Sequence, residues 1–173
     1  MARVPGVDIE AIPKELKSIY KKYSTDYGPF ENQVKVFAQR PPALKHIMGL
    51  LLELDQKPVL PKKYLEIAIV VVSRLNECEY CVAHHTPRLI AHGLSEETVD
   101  RILESNCPGF DEVDQLVRDF AIQVTQKPGR IPEKIFDSLR QHFSDEQIVE
   151  LVLRIALCGF FNRFNNALKI EIE

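Results

Sequence analysis

The sequence predicts an all-α protein, and three observations carry that prediction. Apolar residues recur at helical spacing along most of the chain, and Pro, Gly and Asn clusters separate the periodic segments. The run Ile67-Ala68-Ile69-Val70-Val71-Val72 suits a buried strand by propensity, yet no partner strand is visible anywhere. With 173 residues, 45% of them hydrophobic and 27% charged, the chain fits one domain with a sizeable core.

The elements follow in order. Pro13 to Tyr23 reads as a short charged helix, closed by the Tyr27-Gly28-Pro29 turn. Pro42 begins a helix carrying Leu44, Ile47, Met48, Leu51, Leu52 and Leu54, and Gln56-Lys57-Pro58 ends it. Pro61 opens the next, which runs through Leu75 to a stop at Asn76. Cys78 starts a helix that ends near His92-Gly93, where glycine serves as the cap. Ser95-Glu96-Glu97 starts another, expected to reach Glu104. After the Asn106-Cys107-Pro108-Gly109 turn come helices over Asp111 to Gln126, Pro132 to His142 and Asp145 to Leu168. The last opens on the capping box Ser144-Asp145-Glu146-Gln147.

Bulk properties narrow the function. A net charge of −3 without a basic stripe argues against nucleic acid. The apolar run from Ile67 to Val72 is too short to span a bilayer, so no membrane association is expected. The first residues carry no apolar leader, and the expected location is a reducing cytoplasm. In that setting a C-x-x-C pair points to catalysis or metal binding rather than to a structural staple.

Such a pair stands at Cys78 and Cys81, with His85 four residues beyond the second thiol. On a helix these three residues share a face, which is a redox arrangement. Glu66 cannot reach Cys78 along one continuous helix, since twelve residues rise ~18 Å. If the chain breaks near Asn76 and doubles back, Glu66 lies ~14 Å from the turn on one arm and His85 ~11–13 Å on the other. The carboxylate then fixes the imidazole tautomer and leaves the second ring nitrogen to take a thiol proton. Two arguments select different nucleophiles. A helix N-terminus favours Cys78, whereas pairing with His85 favours Cys81.

An internal repeat is faintly visible, dividing the domain into about 40–105 and about 111–170. Glu66 precedes Cys78 by twelve residues and Cys81 by fifteen, and Glu150 precedes Asn162 and Asn165 by the same spacings. Lys169 then stands where His85 would be. The second half is therefore expected to be redox-silent, with Glu150 serving packing or an ion pair.

Glu66, Cys78, Cys81 and His85 at this spacing resemble the signature of alkylhydroperoxidase D-like proteins, within the carboxymuconolactone decarboxylase superfamily. The segment Phe161-Asn162-Arg163-Phe164-Asn165-Asn166-Ala167-Leu168 is similar to the C-terminal helix of that superfamily. The resemblance implies an all-helical bundle with an internal duplication, assembled as a homotrimer or hexamer. It implies antioxidant peroxidase (peroxiredoxin-type) activity, with a hydroperoxide as substrate and a dithiol reductant or partner peroxidase as the other participant. By position Cys81 matches the attacking thiol and Cys78 the resolving thiol, with Glu66 and His85 as the proton relay. The redox-active disulfide of Cys78 and Cys81 is then the working group, and no separate cofactor is implied. One departure is Tyr80, where better-known members carry a histidine; a phenol titrating near ~10 is a poor base at neutrality.

Rival readings fit the same residues less well. A structural zinc site wants four protein ligands, and Cys107 or His92 would have to complete it. A lactone decarboxylase of the same superfamily does not account for the paired thiols, and a non-enzymatic redox-sensing oligomer would use the disulfide to alter assembly. His84, His46, His92 and His142 read as ordinary polar positions, Cys107 and Cys158 as unpaired.

Overall fold

A proline and a three-residue break fix the two helices that matter most. Pro61 precedes a helix of fourteen residues, Lys62–Leu75, in which everything from Glu66 to Ser73 is buried. Its β-branched run forms a helix because it is covered all round, so apolar residues on every face are satisfied without a sheet. The helix stops at Asn76 in a Schellman arrangement: Cys78 N–H donates to Ser73 O at 2.9 Å and Glu77 N–H to Arg74 O at 3.2 Å. Glu77 takes the left-handed conformation (φ 52°) that glycine usually supplies at this position. The next helix, Glu79–Ala91, then begins with Cys78 as its N-cap.

In this computed structural model, which describes residues 2–173, every regular element among the described residues is a helix. In order these are α1 (Lys17–Lys22), α2 (Glu31–Phe37), α3 (Pro41–Ala43), α4 (Gly49–Gln56), α5 (Lys62–Leu75), α6 (Glu79–Ala91), α7 (Glu96–Asp100), α8 (Glu112–Gln126), α9 (Glu133–Arg140) and α10 (Asp145–Leu168). No helix among the described residues is long and apolar enough to cross a membrane. The chain divides into two compact units, residues 1–58 with 165–173, and residues 59–164.

The first unit holds α1 to α4 and the last residues of the chain. The expected helix over Pro13 to Tyr23 begins as a 3-10 turn, becomes α1, and continues as a wide π turn to Tyr27. The helix expected from Pro42 starts at Pro41 and passes through a π turn, Leu44–Met48, before α4. Helix α2 was not foreseen. Phe30 at its N-cap offers no capping side chain, so the usual start signal is missing, yet Val34, Val36 and Phe37 are buried.

The second unit is built on α5, which packs against α6 and α8. Its fully buried side chains include Ile67, Val70 and Val71 of α5, Leu89 of α6, Val117 and Phe120 of α8, Leu139 of α9 and Leu151 of α10. Each such aliphatic or aromatic group contributes about 1.5–3 kcal/mol on burial, so α5 is the best-anchored element of the unit. Pro87 lies inside α6 without ending it, and Leu89 on the following turn stays docked in the core. The expected N-caps are present, Ser95 on α7 and the Ser144–Gln147 capping box on α10, and the structure adds a capping box of Asp111 and Asp114 on α8. Helix α7 ends at Asp100 rather than Glu104. In the turn that follows, Ile102 N–H donates to Val99 O, and Ile102 is fully buried in the core.

Candidate active site

Glu66 is a carboxylate on a helix whose neighbouring residues are aliphatic and buried, and only 6% of it is exposed. An ionised carboxylate at such depth needs a partner. It has one in His85 of α6, whose Nδ1 lies 2.7 Å from Glu66 Oε2. A carboxylate only accepts, so His85 donates from Nδ1, and this leaves Nε2 as the ring position able to receive a proton. The break at Asn76 to Cys78 makes the contact possible, bringing together residues nineteen apart in sequence. Arg88, one turn beyond His85, brings its guanidinium to 3.8 Å from Glu66 Oε1. Burial raises the Glu66 pKa, but attraction to His85, its hydrogen bond, and the charges of Arg88 and His92 outweigh this and hold the carboxyl below its ordinary value.

Cys78 and Cys81 are joined by a disulfide, with their Cα atoms 5.3 Å apart. Cys78 is wholly buried, while Cys81 keeps 6% of its surface. The Cys78 sulfur also accepts the backbone N–H of Cys81 at 3.3 Å, as an N-cap side chain does. A free amide aimed at sulfur stabilises a thiolate there. Cys81 and His85 are four residues apart on α6 and share a face of the helix.

The remaining candidates occupy other settings. His84 is buried, donates from Nδ1 to Tyr80 O at 2.7 Å, and lies tilted against the Tyr80 ring with centroids 4.3 Å apart. His46, His92 and His142 are exposed. Cys107 and Cys158 are free thiols and both are buried. Burial pushes the Cys158 thiol up to about 11, despite hydrogen bonds with Ser73 and Asn162 that lower it. Among the described residues no cluster of three or more His, Cys, Asp or Glu side chains is placed to hold a metal ion.

The second set of spaced residues does not repeat this geometry. Glu150 and Asn162 lie on the unbroken helix α10, and Glu150 pairs with Arg154 of its own helix at 3.0 Å. Asn165 accepts from Gln33 Nε2 at 2.9 Å within the first unit. The sequence analysis missed Arg88, although it stands three residues after His85 on the same predicted helix.

Residues 41–108, the stretch that contains Glu66, both thiols and His85, match the profile of the carboxymuconolactone decarboxylase family. That segment is similar to the carboxymuconolactone decarboxylase family, over about two fifths of the chain. The fold agrees with other proteins of similar architecture. A crystal structure of an alkylhydroperoxidase AhpD core, an uncharacterized peroxidase-related protein from Ralstonia eutropha JMP134, superposes with a TM-score of 0.86. It covers 99% of this chain and 92% of its own at 24% identity, which makes it a likeness of fold. A protein of unknown function from Agrobacterium tumefaciens matches at TM-score 0.69 and 26% identity, over 78% of this chain and 93% of its own. The uncharacterized protein YdfG of Bacillus subtilis (strain 168) is 27% identical over 105 residues, which are 60% of this chain and 71% of YdfG. The chain therefore has an AhpD-like fold, with a C-x-x-C disulfide in the segment that resembles the carboxymuconolactone decarboxylase family.

Proposed function

We propose that this protein is a thiol-dependent peroxidase, an alkylhydroperoxidase-like oxidoreductase that reduces hydroperoxides through Cys81 and Cys78. The observation that carries the reading is the 2.7 Å contact of Glu66 with His85 beside a C-x-x-C disulfide on the same helix. A buried Glu–His pair orients a base, and a dithiol is the group whose proton such a base takes. The fold shared with a protein named alkylhydroperoxidase AhpD core supports the same reading.

In the proposed cycle His85 Nε2 removes the proton of Cys81, the thiol that retains exposure. The Cys81 thiolate attacks the outer peroxide oxygen, the O–O bond breaks, and Cys81 becomes a sulfenic acid. The alkoxide leaves with the proton held on His85, as the alcohol. Cys78 then attacks the sulfenic sulfur, water leaves, and the disulfide forms. An external dithiol restores both thiols and is itself oxidised to a disulfide. Glu66 keeps its negative charge throughout and stabilises the imidazolium that forms in the first step. Tyr80 takes no part in proton transfer.

The reading carries a homo-oligomer with it, a trimer or hexamer, and the exposed Val149 and Phe160 on α10 are in keeping with a covered face. Sedimentation at micromolar concentration is expected to show the assembly; a clean monomer would count against that part of the reading.

One experiment tests the reading directly. The fully reduced protein, mixed with one equivalent of an organic hydroperoxide, is expected to yield the alcohol and the Cys78–Cys81 disulfide in equal amounts. Intact hydroperoxide alongside two free thiols would overturn it.

A further inference from the structure

Asn162 is fully buried on α10, and both ends of its amide contact the segment that delivers the thiols. Its Oδ1 accepts from Asn76 Nδ2 at 2.9 Å, and its Nδ2 donates to Ser73 Oγ at 3.3 Å. Ser73 and Asn76 are not arbitrary partners. Asn76 is the C-cap of α5, and Ser73 supplies the carbonyl that accepts the N–H of Cys78 at 2.9 Å. The Asn162 amide thus grips the end of α5 at two points, and the backbone of Cys78 hangs from one of them. Ser73 is also fully buried, so water does not compete for the bond between Ser73 and Asn162.

We infer that Asn162 is a positioning residue for the Cys78–Cys81 pair, holding the end of α5 so that the Cys78 sulfur stays at the start of α6, within bonding reach of Cys81. The inference rests on the proposed thiol cycle and adds a residue to it from a different helix. Closing a disulfide within a chain is favoured in proportion to the effective concentration of one thiol at the other. The turn holds Glu77 in a left-handed conformation that a non-glycine residue resists, and the Asn162 amide adds two side-chain bonds, to Ser73 and Asn76, to the turn's own backbone bonds.

The chemistry read out is exchange with a dithiol. A donor thiolate attacks one sulfur of the protein disulfide, the S–S bond breaks, and the donor's second thiolate releases a protein dithiol while the donor closes to a cyclic disulfide. Loosening the turn lowers the effective concentration and shifts this exchange toward the protein dithiol. The test equilibrates wild type, Asn162→Ala, Asn76→Ala and the double variant with mixtures of reduced and oxidised dithiothreitol. Val117→Ala in α8 serves as a control destabilised in the core of the same unit.

Asn162→Ala is expected to shift the exchange constant about three- to tenfold toward the dithiol. Asn76→Ala should move it in the same direction, and the double variant by less than the product of the two. Val117→Ala should keep the wild-type constant. Constants for Asn162→Ala and Asn76→Ala within about twofold of wild type would overturn the inference, as would a Val117→Ala shift as large as theirs. If Asn162→Ala does not fold, Asn76→Ala decides, since Asn76 lies on a partly exposed turn. A wild-type disulfide that does not exchange with dithiothreitol at all would instead defeat the proposed function.

Discussion

Glu66 and Glu150 are both buried carboxylates on long helices of the second unit, each followed by an aliphatic run, and their partners make them different groups. Glu66 meets His85 across a helix break, a partner whose second ring nitrogen is left to take or give a proton. Glu150 meets Arg154 four residues along the same helix, a partner that keeps its charge. The thiols differ in the same way. Cys78 and Cys81 sit at a helix start with a backbone N–H on sulfur, whereas Cys158 is buried in mid-helix and its thiol is held protonated. In the proposed function a carboxylate and a thiol serve chemistry where the chain breaks and brings an ionisable partner across. On an unbroken helix the same residue types become structure.

The contrast can be broken by substitution. Cys81→Ser should abolish peroxide turnover with any dithiol donor, because the attacking sulfur is gone; appreciable residual turnover would return the attacking role to another group. Glu66→Gln keeps the shape and removes the charge behind His85. It should lower the rate on the order of 10- to 100-fold with little loss of stability, as the neutral amide no longer supports the imidazolium. Steady-state kinetics beside a denaturant melt separates the two effects.

On the other side of the comparison, Glu150→Ala should act on stability alone. Removing one partner of a buried ion pair costs about 3 kcal/mol, while the rate of the folded fraction should stay near wild type. A large rate loss there would show that the second carboxylate also serves the site. Cys158→Ser should leave turnover nearly intact. The smallest effect concerns acid. Because the Glu66 pKa is lowered on folding, its contribution is full above the ordinary carboxyl value of 4.5 and fades as pH falls through the lower folded value. A urea titration series on wild type and Glu66→Gln should show that acid-limb slope reduced in the variant.

Much of this was legible in the sequence because punctuation and distance are local properties. Pro61, Asn76 and Ser144 marked helix limits that the structure keeps, and counting rise per residue from the Asn76 break was enough to pair Glu66 with His85. The losses have physical causes as well. Helix α2 lacks a capping side chain, the π turns leave no compositional trace, and α7 gives way to a turn after Asp100. The spacing from Glu150 to Asn162 imitated the first set, but nothing near those residues breaks α10, so a matching count did not become a matching hairpin. Asn162 was invisible as a contributor because its partners, Ser73 and Asn76, lie more than eighty residues away.

The central claim is that the Glu66–His85 pair and the Cys78–Cys81 dithiol form one peroxide-reducing unit. Peroxide-dependent turnover across a panel of dithiol donors tests it most directly, run on wild type and Cys81→Ser together. The account predicts catalytic consumption of hydroperoxide by wild type with at least one dithiol and none by the variant. Absence of turnover with every donor, or equal rates in the two proteins, would contradict it.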